Sequence, residues 1–200
     1  SIKCRRMLKV VKIGGNIIND AGKLDSFLAD FTKLDGPKIL VHGGGKKATE
    51  LAVRLCVGQT MIDGRRVTDE DTLEIAVMVY AGLINKTIVN KLNALGCKAV
   101  GLSGADGEFI RAERRSPVPV DYGFVGDPVE VNRGLAHMMA ESGYTIVAAP
   151  VTTDGSGTLL NTNADTIAQA VAVALSSDNK VELVYCFEKN GVLLDVNDNN

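Results

Sequence analysis

Strands with one face in water alternate apolar and polar residues, but five short runs of this sequence are mainly apolar without such alternation. They lie at 8–13, 38–42, 98–102, 145–149 and 181–187. Longer stretches with a helical period separate most of them, at 23–33, 47–56, 69–95, 132–142 and 164–175. Because buried strands that alternate with helices are typical of parallel sheets, the pattern predicts an α/β fold with helices on both faces of the sheet.

Two interruptions of this alternation predict hairpins. The segment 61–67 carries Asp63-Gly64 at its centre, a pair of residues typical of tight turns. The segment 108–131 has the pattern of short antiparallel strands. We expect these inserted β-hairpins to cover a site near the ends of the buried strands.

The composition favours one globular unit. With 200 residues and 46% hydrophobic content, the chain can bury a large core as a single domain or as two lobes that share a sheet. A formal net charge of -2 gives no basic surface for nucleic acid, and we expect no membrane-spanning stretch. The first residues do not have the pattern of a secretory signal, so we expect a cytoplasmic protein.

The centre of the longest helical pattern, 75–84, is apolar around nearly its whole circumference. A helix that covers one face of a sheet should keep a polar side. A second surface therefore has to cover it, either elsewhere in the same molecule or in a second copy. We prefer a homodimer in which helix 69–95 forms the interface.

Two of the predicted strands end in glycine. Strand 38–42 runs into Gly43-Gly44-Gly45 and then into a helix, and strand 8–13 runs into Gly14-Gly15. Glycine lets a bound group approach the backbone, and the free N–H groups of a helix start attract anions. Lys12 lies within an otherwise apolar strand, where its ammonium group needs an anion or solvent. The two strands together indicate phosphate chemistry.

Other glycine-rich sites fit less well. The P-loop pattern needs Ser or Thr after its glycine-lysine pair, and here Lys47 follows Lys46. Neither glycine cluster has the spacing of the dinucleotide pattern. An esterase is an alternative, since His42 and its glycines resemble an oxyanion loop and Ser103 lies in a Gly-Leu-Ser-Gly-Ala segment. Its one downstream histidine would be His137, on a predicted helix.

Two polar segments have both a structural and a functional interpretation. Asn163 suits a helix N-cap and Asp165 suits a first helical turn, yet with Asn161 the segment has more polar side chains than one cap requires. Arg65 and Arg66 lie on the predicted hairpin, where arginines are usually solvated. A guanidinium beside a glycine-lined anion site would also suit a substrate carboxylate.

Six motifs follow one another along the chain. They are Lys12-Ile13-Gly14-Gly15, His42-Gly43-Gly44-Gly45, Gly64-Arg65-Arg66-Val67-Thr68, Gly101-Leu102-Ser103-Gly104, Gly123-Phe124-Val125-Gly126 and Asn161-Thr162-Asn163-Ala164-Asp165. In content and order this set resembles the amino-acid kinase family. The resemblance implies a three-layer α/β/α sandwich around a mainly parallel twisted sheet with inserted β-hairpins.

The resemblance also implies an activity. Such enzymes transfer the γ-phosphoryl group of ATP, with Mg²⁺, to a carboxylate, and this branch acts on the side chain of an N-acylated glutamate in arginine biosynthesis. N-acetylglutamate is the default acceptor and N-succinylglutamate is an alternative.

The same resemblance implies roles for individual residues. Lys12 would stabilise the transferring phosphoryl group and Asp165 would hold the lysine in position, so both would be catalytic. The residues implied to bind the acyl-amino-acid substrate are Gly44, Gly45, Arg66 and Asn161. Those implied to bind the nucleotide are Gly14, Gly15, Lys189 and Gly191. No protein side chain is implied to bind a metal.

The resemblance divides the chain into two lobes. Residues 1–160 would form the substrate-binding and dimerisation lobe, and 161–200 would begin the nucleotide-binding lobe. The family pattern continues beyond 192–194 with segments that include a second phosphate-facing lysine, so we expect a truncated nucleotide lobe. An alternative of another class is a non-catalytic module that binds an acidic ligand.

Overall fold

The computed structural model describes residues 7–187 and 192–193, so the predicted nucleotide-binding residues Lys189 and Gly191 lie outside the described residues. The strands, in chain order, are β1 (Met7–Ile13), β2 (Lys38–His42), β3 (Thr60–Ile62), β4 (Arg65–Val67), β5 (Ala99–Leu102), β6 (Ile110–Arg114), β7 (Gly126–Val131), β8 (Thr145–Ala148), β9 (Val151–Thr153), β10 (Leu159–Asn161), β11 (Lys180–Cys186) and β12 (Val192–Leu193). The α-helices are α1 (Gly15–Ile18), α2 (Ala21–Thr32), α3 (Gly45–Arg54), α4 (Glu70–Val77), α5 (Asn85–Ala94), α6 (Arg133–Glu141) and α7 (Ala164–Leu175). A π-helical segment occupies Met78–Ile84, and a 3₁₀ turn occupies Asp106–Glu108.

The central sheet has six strands in the order β12-β11-β1-β2-β8-β5. Neighbouring strands are parallel, except that β11 and β12 are antiparallel. The apolar runs predicted as buried strands supply β1, β2, β5, β8 and β11. The prediction of a mainly parallel sheet is therefore confirmed.

Helices cover both faces of this sheet, which confirms the three-layer α/β/α sandwich. In β1, Val11 and Ile13 pack with the core formed by α2, α3 and the helix at 70–94. Leu8 and Val10 of the same strand pack with the core formed by α6 and α7. Because both faces of β1 are buried, the strand has no alternating polar side, and only Lys9 and Lys12 interrupt its apolar sequence.

A second sheet lies beside the first and has the strand order β10-β9-β6-β7. The pairs β6–β7 and β9–β10 are antiparallel, as the segment 108–131 predicted for the first pair. The sequence did not predict that β6 and β9 join these hairpins into one sheet, through the pairing of Arg111 with Thr153. The predicted hairpin at 61–67 is confirmed as β3 and β4, with Ile62 opposite Arg65.

The helical stretch from Glu70 to Ala94 combines α4, the π-helical segment and α5 in 25 residues. Its most apolar window has a mean hydropathy of 1.4, so by length and composition alone this stretch could cross a membrane, contrary to the expectation from the sequence. It nevertheless packs on the central sheet, with Ile75, Ile88 and Leu92 at most 2% exposed. We therefore interpret it as a core helix.

The predicted division into lobes at 160/161 remains a prediction. Strand β11, from the segment assigned to the nucleotide lobe, pairs along its whole length with β1, from the segment assigned to the substrate lobe. The two segments thus share the central sheet.

Candidate active site

A cavity of about 350 Å³ lies beside the carboxyl end of β2, the edge at which open parallel sheets commonly bind ligands. Its walls come from the loop after β2, the β3–β4 hairpin, the long helix, the second sheet and the start of α7. The lining residues are Gly43, Gly44, Gly45, Met61, Gly64, Arg65, Arg66, Tyr80, Arg115, Val125, Pro150, Asn161, Thr162, Asn163, Ala164 and Thr166. The structure thus brings together the predicted substrate-binding residues Gly44, Gly45, Arg66 and Asn161.

The glycine loop passes close to the long helix. Gly44 has a φ of 151°, a conformation that side chains rarely adopt, and a Cβ there would overlap Ile84 Cδ1 and lie 3.3 Å from the Tyr80 ring. Gly44 is also the N-cap of α3, whose first N–H groups have no intrahelical acceptor. The backbone can therefore offer N–H donors to an anion in the cavity.

The Arg66 guanidinium binds the start of α3. Its Nη2 donates to Gly45 O at 2.9 Å and to Thr49 Oγ1 at 2.9 Å, and its Nη1 donates to Gln59 Oε1. These contacts engage three of the five N–H donors of the guanidinium, which also interacts with the Tyr80 hydroxyl. Arg66 is thus a cavity-lining cation held in place by the protein.

The structural interpretation of the segment 161–165 is confirmed for Asn163, whereas the functional interpretation stays a prediction for Asn161. Asn163 is the N-cap of α7, and its Oδ1 accepts hydrogen bonds from Asp165 N at 2.9 Å and Thr166 N at 3.2 Å. Asn161 takes no part in the cap, because its Nδ2 donates to Thr68 Oγ1 at 3.2 Å. This contact holds the Asn161 side chain in the wall of the cavity.

Lys12 and Asp165 form an ion pair, with 3.0 Å between Nζ and Oδ1. The lysine side chain is 14% exposed and the aspartate side chain is 54% exposed, so the pair lies where the sheet meets solvent. It is also close to the glycine loop, since a Cβ on Gly43 would lie 3.7 Å from Ala164 Cβ. The ammonium group thus has the anion that its place in an apolar strand demands.

Gly14 and Gly15 lie beyond the end of β1 and outside the lining of the cavity. Gly14 N donates to Cys186 O at 3.2 Å, which extends the pairing of β1 with β11 by one residue. Gly15 begins α1 and is exposed. Two glycine-ended strands thus lie side by side, since β1 pairs with β2.

A model of the amino acid kinase family matches residues 7–200. The chain belongs to this family. Acetylglutamate kinase of Phocaeicola vulgatus is 50% identical over 196 residues, which span 98% of this chain and 76% of that protein. Acetylglutamate kinase of Cytophaga hutchinsonii is 53% identical over 194 residues, which span 96% of this chain and 73% of that protein. The family resemblance inferred from the motifs is confirmed.

Solved structures agree on the fold. The smu.665 protein of Streptococcus mutans matches with a TM-score of 0.73 and 29% identity over 84% of this chain and 69% of its own. N-acetylglutamate synthase of Neisseria gonorrhoeae, complexed with coenzyme A and N-acetyl-glutamate, matches with a TM-score of 0.77 and 23% identity over 92% of this chain and 42% of its own. The second likeness shows the amino acid kinase fold alone.

Tyr80 and Arg115 are among the cavity residues of this amino acid kinase that were not predicted from the sequence. Tyr80 lies in the π-helical segment, where burial raises the pKa of its hydroxyl. Arg115 follows β6 and binds Asp127 through Nη2 at 2.6 Å and Nε at 3.2 Å. Tyr80 lies in the segment that predicted a dimer interface and Arg115 in the segment that predicted antiparallel strands, and no local signal marked either as a cavity residue.

The esterase alternative is not supported, because the structure separates its parts. The Ser103 hydroxyl donates to Asp106 Oδ2 at 2.9 Å rather than to a histidine. His137 instead pairs with Asp178 at 3.1 Å, and His42 is fully buried. The Gly-Leu-Ser-Gly segment has a structural role instead, because Gly104 packs against backbone. A Cβ there would lie 2.6 Å from Ile110 O and 2.8 Å from Thr152 Cα.

Proposed function

We propose that this protein transfers the γ-phosphoryl group of ATP to the side-chain carboxylate of N-acetylglutamate, a step of amino-acid biosynthesis. The observation that carries this proposal is that the chain is half identical, over 98% of its length, to an acetylglutamate kinase. The site geometry supports it, because the glycine loop and Arg66 line one cavity and the ion pair of Lys12 and Asp165 lies at the same carboxyl edge of the sheet, next to the lining residue Ala164. Neither N-succinylglutamate nor a non-catalytic module is favoured by these observations.

The acceptor substrate carries two carboxylates and an amide, and the cavity offers a complement for each. The N–H groups of Gly44 and Gly45 would bind the reacting carboxylate at the start of α3. The Arg66 guanidinium would bind the second carboxylate, and Asn161 would bind the amide region. The substrate would then be held at several points, which fixes the direction of the reacting oxygen.

The chemical step needs no protein nucleophile and no proton transfer. A carboxylate oxygen of the substrate forms a bond to the γ-phosphorus as the bond from that phosphorus to the β–γ bridging oxygen breaks, and ADP leaves with the electron pair. Negative charge spreads over the transferring group and the leaving oxygen. Lys12 would stabilise this charge, and Asp165 would keep its ammonium group aimed at the site.

The nucleotide would bind on the side of Gly14 and Gly15, where backbone can approach the phosphates. Within residues 7–187 and 192–193, no group of three or more His, Cys, Asp or Glu side chains could hold a metal ion. Because Mg²⁺ commonly binds through substrate phosphates, we expect it to enter with ATP. When bound there, it would offset the negative charge of the phosphates.

An ADP-release assay tests the proposal. Purified protein receives ATP and Mg²⁺ with one acceptor at a time: N-acetylglutamate, N-succinylglutamate, glutamate or aspartate. We expect turnover with N-acetylglutamate well above that with the other three. Preference for the succinyl compound would reassign the acyl group, and binding of N-acetylglutamate by calorimetry without ADP release would favour the non-catalytic module.

Two finer parts of the proposal concern the state of the protein in the cell. We propose a homodimer through the helix at 69–95, because Met78 and Leu83 on that helix are 50% and 60% exposed. We also propose that the protein acts in the cytoplasm, where ATP is available. Cell fractionation tests the location, and the dimer is treated below.

A further inference from the structure

His42, Asn85 and Lys86 form a series of hydrogen bonds directly behind the glycine loop. His42 ends β2 and Asn85 begins α5, and they are 0% and 1% exposed. His42 Nε2 lies 3.1 Å from Asn85 Nδ2, and Lys86 Nζ lies 2.9 Å from Asn85 Oδ1. The other ring nitrogen, His42 Nδ1, lies 2.9 Å from Gly43 O.

The chemistry of the end groups fixes the direction of every bond in this series. The Lys86 ammonium can only donate, so it identifies the Asn85 oxygen. The carbonyl of Val147, 3.0 Å from Asn85 Nδ2, can only accept, so it identifies the Asn85 nitrogen. Asn85 Nδ2 therefore donates to His42 Nε2, and the His42 proton lies on Nδ1, which donates to Gly43 O.

A charged imidazole would not fit this arrangement. Protonation of His42 Nε2 would bring a second N–H against the Asn85 N–H. The positive charge would also lie in a fully buried place near Lys86. The pKa of His42 agrees, since burial lowers it to about 4. His42 is thus a neutral histidine with one defined tautomer.

The Nδ1–H group of His42 determines the direction of a neighbouring backbone N–H group. The Gly43 carbonyl and the Gly44 N–H belong to one peptide unit, which is trans and planar, so they point in opposite directions. A hydrogen bond that fixes the carbonyl therefore fixes the N–H. Within the described part of the chain, no residue accepts a hydrogen bond from Gly44 N, and Gly44 lines the cavity.

The neighbouring strand leaves room for this series. A Cβ on Gly101 of β5 would overlap Asn85 Oδ1 and would lie 2.8 Å from Lys86 Nζ. Asn85 and Lys86 can therefore take their positions only beside a glycine. This requirement explains Gly101, which the secondary structure of β5 does not need.

We propose that His42 is a positioning residue for phosphoryl transfer. Its neutral Nδ1–H tautomer, imposed by Asn85 and Lys86, aims the Gly44 N–H at the acceptor carboxylate. This inference rests on the proposed function, in which Gly44 binds that carboxylate.

A matched pair of substitutions separates positioning from packing. In H42N the side-chain amide takes the place of Nδ1 and can donate to Gly43 O. In H42Q the longer side chain places its amide near the former Nε2, where it can bond Asn85 but not Gly43 O. We expect H42N to keep kcat within about threefold of the unchanged protein and H42Q to lose about tenfold or more, with the KM for ATP unchanged in both.

The control is H137N, the same substitution at the other histidine of the chain. His137 lies away from the cavity, so H137N should leave kcat unchanged. Glutamine fills more of the histidine volume than asparagine does. If His42 served packing alone, H42Q would therefore be at least as active as H42N, and that result would overturn the proposal.

A spectroscopic measurement decides the proposal without any turnover. Imidazole ¹⁵N spectra at neutral pH should show His42 as the neutral Nδ1–H tautomer, with H137N used for assignment. The Gly44 amide resonance should move in H42Q and stay near its original position in H42N. An Nε2–H tautomer of His42, or an equal shift of the Gly44 amide resonance in H42Q and H42N, would refute the positioning role. If the unchanged protein shows this spectrum but turns over no acceptor, the proposed function fails instead.

Discussion

Lys12 places a positive charge in a strand whose neighbours Val11 and Ile13 are buried. The ion pair with Asp165 offsets part of the cost of that placement, and the position aims the ammonium group at the carboxyl edge of the sheet. A lysine kept in such a place for structure alone could be replaced by an apolar residue at little cost. The roles of single residues can therefore be separated by their effects on stability and on turnover.

Lys12→Ala should lower kcat about 10²- to 10³-fold, because one preorganised cation is lost from the transferring phosphoryl group. The ADP-release assay measures this loss. Lys9→Ala is the control on the same strand, since Lys9 Nζ donates to Asp35 O at 3.0 Å, away from the cavity. The kcat of this variant should equal that of the unchanged protein. Equal kcat values for the two variants would remove Lys12 from the catalytic site.

Arg66→Ala should raise the KM for the acidic acceptor about tenfold or more and change the KM for ATP much less, because one charged donor to the acceptor is lost. Initial rates with each substrate varied in turn give both constants. Arg54→Ala, at the exposed end of α3, should change neither. A lower melting temperature with unchanged KM values would assign Arg66 to structure alone.

The buried His42 should make stability depend on pH. Its pKa is about 4 in the folded protein and about 6.5 in an unfolded chain, so between these values the unfolded state binds more protons. The free energy of unfolding therefore rises with pH through this window, and the His42 contribution is complete above about pH 6.5. From about pH 7 to about pH 5, we expect a loss of about 2 kcal/mol from this group.

Urea unfolding at the two pH values measures that loss. H42N should remove most of it, whereas H137N should retain it, because His137 is on the surface beside Asp178. An equal pH dependence in all three proteins would show that His42 can take up a proton in the folded state.

At the scale of secondary-structure elements, the site depends on the close approach of the glycine loop to the long helix. The π-helical segment carries Tyr80 and Ile84, which meet Gly44, and it ends immediately before Asn85. Segments of π-helix are often found at functional sites. Here the segment supplies one wall of the cavity and positions the residue that bonds His42.

Gly44→Ala should destabilise the protein by about 1–3 kcal/mol and abolish most turnover, because the added Cβ overlaps Ile84 and the backbone conformation excludes side chains. Gly134→Ala in α6 is the matched control. Its Cβ would lie 3.5 Å from Asn132 Oδ1, an ordinary contact, so stability should stay equal or increase by up to about 1 kcal/mol. Thermal unfolding compares the variants, and equal melting temperatures would contradict the described approach of loop and helix.

At the scale of the whole molecule, the exposed side chains of the long helix raise the question of what covers them. The helix buries its sheet-facing side in the core, yet Met78 and Leu83 remain half or more exposed. The sequence predicted this second surface from the apolar circumference of 75–84. A second copy of the chain is the partner that we propose.

The double substitution M78E and L83E should convert the dimer to a monomer, because two charges would be buried without partners in the interface. Sedimentation velocity at micromolar concentration measures the change. Val173→Glu is the control, since Val173 is 73% exposed on α7 and should leave the dimer intact. A monomeric unchanged protein at that concentration would refute the interface.

The sequence predicted the residues of the cavity better than it predicted their surroundings. Gly44, Gly45, Arg66 and Asn161 come from three separate motifs and line one cavity. Arg115 and Tyr80 were missed, because an arginine after a strand and a tyrosine in an apolar helix have no distinctive local pattern. The second sheet was missed for a related reason, since β9 and β10 are three residues each and too short for a period.

The order of elements follows from the sequence alone. Short, mainly apolar runs are typical of strands buried on both faces, and the helices between them favour parallel pairing. Tertiary structure alone decided which polar side chains meet: Lys12 with Asp165, Asn161 with Thr68, and His42 with Asn85. The hydrophobic period of a segment depends on which of its own faces are buried. A hydrogen bond between residues far apart in the chain depends instead on how the layers pack.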